Sequence, residues 1–274
     1  MKYGGVVHGE VLHLFLGDRV MNILCTDLDN TIIYSYKHNI GKEKINVEIY
    51  QGREISFITK KTYNLLERLK KEYVIVPTTT RTIEQYKRID LGIGEFTYAL
   101  VCNGGVLLIN GERDNEWYEA SLQLVNESNS ELEKAMSLLT GDARRKFELR
   151  FIEKLFVFTK CNDPYEVVQN LKTQLDTELV DVFNNGEKVY VVPKKLSKGI
   201  AINRLREKLH PEYIIAAGDS EFDVSMVEEA DYGIVPHGFT YMYNCKKNLL
   251  EMEEDTIFSE ALSEKVLTIK AELN

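Results

Sequence analysis

The stretch "MNILCTDLDNTIIYS", residues 21–35, runs an apolar segment into two carboxylates, Asp27 and Asp29, followed at once by Asn30 and Thr31. Short acids bond their own backbone and often do no more than end a strand and open a turn. Two acids and a hydroxyl at the end of a buried strand also make a place to hold a divalent cation and attack something. Three further clusters are of the same kind. "PTTTR" sets Thr78, Thr79, Thr80 and Arg81 behind an apolar run, "SKGIA" sets Lys198 at a helix start, and "GDSEFD" ends another apolar run in Asp219 and Asp223. These residue types suit phosphoryl chemistry. A phosphate monoester repels anionic nucleophiles, so a carboxylate attacks it only where a cation and fixed positive charge neutralise the phosphoryl oxygens.

The elements that carry these clusters alternate. "NILCTD" reads as a buried strand, a polar stretch follows, and "TKKTYNLLERLKKE" makes an amphipathic helix behind a Thr59 cap. "YVIVPTTT" is a strand ending in hydroxyls, "RTIEQYKRID" a helix, and "YALVCNGGVLLIN" a strand, a Gly turn and a return strand. Later, "LSKGIAINRLREKL" is a helix capped by Ser197, "YIIAAGDS" a strand, "DVSMVEEA" a short helix, "YGIVP" a strand and "DTIFSEALSEKVLTI" a terminal helix. Strands alternating with helices imply an α/β fold, a Rossmann-like parallel sheet covered on both faces, with its ligand at the carboxyl ends of the strands. The ends at Asp27, Thr78–Thr80 and Asp219 should therefore meet at one edge.

Between them the rhythm changes. "SNSELEKAMSLLT" is helical, "KFELRF" and "KLFVFTK" are strand-like, "DPYEVVQNLKTQLD" is a helix behind Asp163, and "LVDVFNNGEKVYVVP" is a hairpin around Asn185 and Gly186. This α-β-β-α-β-β order predicts an inserted α+β domain over residues 112–193, with the core formed by 1–111 and 194–274.

The composition is that of a globular protein, 44% hydrophobic and 28% charged. A formal charge of -9 argues against a broad nucleic-acid footprint, which needs clustered Lys and Arg. Cys25, Cys102, Cys161 and Cys245 are scattered without zinc-site spacing and read as reduced thiols of a cytoplasmic protein. The five histidines are equally scattered. "GVVHGEVLHLFLG" near the start is too short to span a bilayer and reads as a hairpin or edge strand, so no membrane partner is expected.

"DLDNT", "TTTR", "SKGIA" and "GDSEFD", in this order and spacing, resemble the four motifs of the haloacid dehalogenase superfamily of phosphatases. The insert between the second and third resembles the C2-type cap, in the smaller form found in sugar-phosphate phosphatases and phosphomannomutases. The resemblance implies a magnesium-dependent phosphomonoester hydrolase acting on a small phosphorylated metabolite, best a sugar phosphate. Asp27 would be the nucleophile and Asp29 the general acid and base, while Thr79 donates to a phosphoryl oxygen and Lys198 supplies positive charge. Asp27, Asp29 through its backbone carbonyl, and Asp219 would hold Mg2+, with Asp223 as fourth ligand or behind the ligands. Thr31, Thr80, Arg81, Asn103 and Gly104 would lie on the phosphate or substrate side, although Gly104 and Gly105 read equally well as a plain turn. Two departures stand out: Thr80 replaces the usual Gly before Arg81, and Phe222 replaces the usual Asn before Asp223. A phosphomutase is the nearest alternative. A phosphoacceptor domain, which is shorter and uncapped, and a noncatalytic binding protein are more distant ones.

Overall fold

The structure, a computed structural model, describes residues 21–273. The hairpin or edge strand expected in "GVVHGEVLHLFLG" lies outside the described residues. A five-stranded sheet runs in the order Leu250–Glu251, Tyr232–Val235, Tyr213–Ala217, Asn22–Thr26, Val74–Pro77. Every pairing in it is parallel. The Tyr98–Val101 strand lies beside its last member through a parallel bridge between Thr78 and Leu100, then turns back as an antiparallel hairpin with Val106–Ile109.

Apolar side chains leave this sheet on both faces, as a doubly covered parallel sheet requires. Leu24 and Ile215 pack with Leu66 and Leu69 of helix Lys60–Leu69 and with Leu262 and Val266 of helix Phe258–Leu273. On the other face Ile23, Cys25 and Ile214 meet Ile202 and Leu205 of helix Lys198–Leu209. The expected caps form: Thr62 N donates to Thr59 Oγ1 at 3.0 Å and Ile200 N to Ser197 Oγ at 3.2 Å.

The insert carries a four-stranded antiparallel sheet ordered Val180–Asn185, Lys188–Pro193, Phe156–Lys160, Arg150–Ile152. Its strands alternate in period two. Val157, Val182, Val189 and Val191 face helices Asn129–Thr140 and Pro164–Lys172. Phe156, Phe158, Phe183, Tyr190 and Val192 face the core, against Ala99, Val101, Val106 and Leu108 of the core hairpin.

Three local features depart from the sequence reading. The polar stretch after Asp29 is an antiparallel hairpin, Lys44–Tyr50 with Arg53–Thr59, joined by Tyr34–Ser35. The first helix of the insert, Asn115–Val125, docks on the core: Trp117 Nε1 donates to the Gly104 carbonyl at 3.0 Å, and Arg204 stacks 3.8 Å from the Trp117 ring centre. Asp163 gives no side-chain cap, because its own backbone is left-handed at φ 48° and Pro164 starts the helix. Among the described residues no helix is long and apolar enough to cross a membrane.

Candidate active site

Asp27 follows the Asn22–Thr26 strand directly, and its N–H donates to the Ala217 carbonyl at 2.9 Å, continuing the parallel ladder. Thr78 N donates to the Thr26 carbonyl at 2.8 Å in the same way, so the three expected strand ends share one edge. Lys198 enters this edge as the first residue of its helix. Its Nζ donates to Asp27 Oδ1 and Asp223 Oδ1, both at 2.6 Å, and the side chain is only 1% exposed. Burial disfavours its charge, yet the Asp223 and Asp27 carboxylates prevail and hold the ammonium above its ordinary value. Burial pushes the Asp27 carboxyl well up, against the pull of Lys198 and with repulsion from Asp223 and Asp219 adding to it.

Asp223 uses both its oxygens inside the protein. Oδ1 takes Lys198, and Oδ2 accepts from Asp219 N at 3.1 Å, Ser220 N at 2.9 Å and Ser220 Oγ at 2.8 Å. Gly218 makes room for this, since a Cβ there would fall 2.3 Å from the Asp223 Cβ. Asp223 thus shapes the loop that presents Asp219. Thr31, expected on the phosphate side, instead donates its Oγ1 to Asp219 Oδ1 at 3.0 Å. Burial and the Asp223 charge push the Asp219 carboxyl up to about 7. Carboxylate oxygens of Asp27, Asp219 and Asp223 all lie within 4.8 Å of one another. Three acids facing one lysine leave excess negative charge on hard oxygen donors, a set that fits a divalent cation such as Mg2+.

Asp29 stands at the mouth of the site with its side chain 49% exposed. Arg81 grips it as a fork, Nε to Oδ2 and Nη2 to Oδ1, each at 2.7 Å. Partial burial works against the Asp29 charge, but the Arg81 fork outweighs it and holds the carboxyl below its ordinary value. Arg81 is fixed in turn by Glu48, whose side chain is fully buried: Arg81 Nη1 lies 2.9 Å from Glu48 Oε1, Arg88 Nε 3.2 Å from the same oxygen, and Ser56 Oγ donates to Oε2 at 2.7 Å. Arg81, expected to face phosphate, is here the partner of Asp29. Thr78 turns its hydroxyl back to the Val76 carbonyl at 3.1 Å, while Thr79 Oγ1 accepts from Arg81 N at 3.2 Å and, among the described residues, keeps its proton for another acceptor. Thr80 lies partly exposed beside them. Asn103 and Gly104, expected near the substrate, form a packing turn. Asn103 Nδ2 donates to the Leu196 carbonyl at 2.9 Å, and a Cβ on Gly104 would meet the Ala201 Cβ at 2.3 Å.

The sequence matches the haloacid dehalogenase-like hydrolases over residues 109–250, more than half of the chain. It belongs to that family. A phosphoglycolate phosphatase of Methanopyrus kandleri is 23% identical over 184 residues, 66% of this chain and 77% of that protein. The structure of the sucrose-phosphatase of Synechocystis, in complex with sucrose and phosphate, superposes with a TM-score of 0.65 at 17% identity, over 92% of this chain and 99% of the other. A haloacid dehalogenase-like hydrolase of B. subtilis gives a TM-score of 0.57 at 15% identity, over 90% and 99%. These likenesses show a shared fold.

In this haloacid dehalogenase-like hydrolase the cap sheet roofs the site. Phe222, the departure in the last motif, sits with its ring centre 4.8 Å from that of Phe183 and 5.1 Å from that of Tyr190, both on core-facing cap strands. The loop that carries Asp219 and Asp223 is thereby seated against the cap. Lys188 and Tyr190 both act electrostatically with Asp29. Lys188 is exposed at the start of its strand, yet the protein packed around its ammonium lowers it from its ordinary value, Asp29 works the other way, and Lys160 and Arg81 add to the lowering. Sequence reasoning missed Glu48, Arg88, Lys188 and Tyr190. The alternation of "KINVEIY" signals the first strand of the hairpin, but the cap residues give no signal until the sheet's core face is known.

Proposed function

We propose that the chain is a magnesium-dependent phosphomonoester hydrolase that works through an aspartyl phosphate on a small phosphorylated metabolite, a sugar phosphate being the first class to test. The observation that carries this reading is the buried Lys198 bridging Asp27 and Asp223 at 2.6 Å each, beside Asp219 and next to the Arg81-held Asp29. Lys198 orients the Asp27 carboxylate and lowers the repulsion that a phosphoryl group meets on approach. An Asp27 oxygen then bonds to phosphorus while the ester P–O bond breaks, and the leaving oxygen takes its proton from Asp29 in its protonated form, which requires the Arg81 fork to open. In the second half Asp29 takes a proton from water, whose oxygen bonds to phosphorus as the acyl phosphate P–O bond breaks and Asp27 is freed. Thr79 donates its spare hydroxyl proton to a phosphoryl oxygen. Asp27 and Asp219, with the Asp29 carbonyl, would hold Mg2+, which would supply charge neutralisation to the phosphoryl group. Asp223, its oxygens engaged elsewhere, positions Lys198 and Asp219. Scattered thiols that form no disulfide fit a cytoplasmic enzyme.

The named activities of the phosphoglycolate phosphatase and the sucrose-phosphatase support a small phosphorylated substrate. The test is Asp29→Asn with a nitrophenyl phosphate, whose leaving group needs little protonation. Attack should proceed and water addition lag, giving a burst near one equivalent and hydroxylamine-labile phosphate on Asp27. Steady turnover at the parent rate with no trapped phosphate sinks the mechanism, and full turnover in excess chelator sinks the metal. Inorganic phosphate released without any bisphosphate activator separates a hydrolase from a mutase.

A further inference from the structure

The core-facing side of the cap sheet can be followed row by row. Phe158, Tyr190 and Phe183 lie side by side on three adjacent strands. Two residues further along the same face, the same strands place Lys160, Lys188 and Asn185 side by side, with Lys160 directly opposite Lys188 and Lys188 directly opposite Asn185. Like charges directly opposite one another on neighbouring strands destabilise a sheet. Three other lysines of the insert and its flank are in ion pairs, Lys146 with Glu187, Lys194 with Asp181 and Lys195 with Glu127, whereas Lys134, Lys154 and Lys172, which do not lie in this row, have none among the described residues. Among the described residues Lys188 and Lys160 have no such ion pair, and Lys160 reaches only the Phe147 ring at 5.2 Å. Glu187, the neighbouring acid in the turn, is taken by Lys146.

This row lies beside the site: Tyr190, two residues along the same face from Lys188, has its ring centre 5.1 Å from that of Phe222, the residue before Asp223, and Lys188 is within electrostatic reach of Asp29 and Arg81. Asp29 does not neutralise it. Both Asp29 oxygens are already held by the Arg81 fork at 2.7 Å, so Asp29 offsets Lys188 only in part, and the lysine pair, with Lys188 open to solvent, keeps positive charge at the edge of the site. A local rule broken without compensation inside the protein is expected where a ligand supplies the compensation.

We propose that Lys188, with Lys160 and Asn185, forms a subsite for a second anionic group of the substrate, a carboxylate or a second phosphoryl group. The substrate class is then a small phosphomonoester with an additional negative charge rather than a neutral sugar phosphate. This rests on the hydrolase reading above, in which the phosphoryl group sits at Asp27 and the rest of the molecule extends past Asp29 toward the cap. Phe158, Tyr190, Phe183 and Phe222 close the apolar side of that space.

The test uses matched pairs: glycerol 3-phosphate against 3-phosphoglycerate for the carboxylate, and fructose 1-phosphate against fructose 1,6-bisphosphate for the phosphoryl group. In the parent enzyme kcat/KM should favour the more anionic member of at least one pair by about tenfold, as a charge-assisted contact supplies. Lys188→Ala should collapse that ratio through KM, Lys188→Arg should restore most of it, and Lys160→Ala should reduce it. A parent preference for the neutral members, or a ratio that survives Lys188→Ala, overturns the subsite. If no compound releases phosphate, the hydrolase reading fails on its own. Calorimetric titration of Asp27→Asn with the same pairs then decides the subsite separately: tighter, Lys188-dependent binding of the anionic member upholds it, and equal binding overturns it.

Discussion

Arg81 sets the charge of Asp29. With the guanidinium removed, burial of the Asp29 carboxyl is opposed only by the charges of Lys188 and Lys198, so its pKa rises from its depressed position. In the proposed mechanism Asp29 must be ionised to accept a proton from water, so activity should fall on the acid side as it becomes protonated. The acid limb of kcat should therefore move to higher pH in Arg81→Ala, and by less in Arg81→Lys, which keeps a charge but loses the fork. A nitrophenyl phosphate substrate isolates this step, and an unmoved limb would dissociate Arg81 from Asp29 function. At this scale the sequence was informative for residues that sit where strands end or a helix begins: Asp27, Thr79 and Asp219 at strand ends and Lys198 at a helix start lie at one edge of the sheet. It was silent on what Arg81 touches. Its partners Asp29 and Glu48 lie 52 and 33 residues away, and neither spacing nor periodicity reports a contact of that range.

The hairpin of Lys44–Tyr50 and Arg53–Thr59 exists in the sequence as alternation, but its most important side chain breaks the alternation. Val47 and Glu48 are adjacent and both buried, which a regular strand with one buried face does not allow. The register shifts on either side of Glu48, and this bulge turns its carboxylate inward to Arg81, Arg88 and Ser56. A charge buried by a bulge against remote partners looks, in sequence, like an ordinary exposed residue. Replacing it leaves two arginines without their shared acid, so Glu48→Gln should cost about 3 kcal/mol at neutral pH, measured by urea unfolding. Burial opposes the Glu48 charge, yet Arg81, Ser56 and Arg88 hold its pKa below the ordinary glutamate value. Its contribution is thus complete above that ordinary value and is lost as pH falls through the depressed one. The gap between parent and variant should narrow in acid, and a gap constant with pH would mean that the loss is one of packing.

Across the whole molecule, an inserted second unit was legible from the change of rhythm, but its seating was not, because the contacts that seat it join strands far apart in sequence. One apolar cluster spans both: Val101, Val106 and Leu108 of the core hairpin with Ile152, Phe156, Tyr190 and Val192 of the cap. Phe222 joins that cluster from the loop that also presents Asp219 and Asp223, so the residue that departs from the usual motif couples this loop to the cap. Edge-to-face aromatic pairs add about 0.5–1.5 kcal/mol beyond the area they bury, and Phe222 makes two of them. Phe222→Ala should lower overall stability by about 2 kcal/mol, below the range for a fully enclosed Phe because this ring is only partly buried. Its larger effect should be on the roof of the site. A cap no longer seated on the loop holds the far end of the substrate poorly, so KM should rise for metabolites that reach the cap and change less for a nitrophenyl phosphate, which depends mainly on the core. Phe222→Leu, which keeps apolar bulk but loses the ring edges, should fall between. Equal losses for both kinds of substrate would place the effect in the Asp219–Asp223 loop itself, and would leave the cap to be seated by the core hairpin alone.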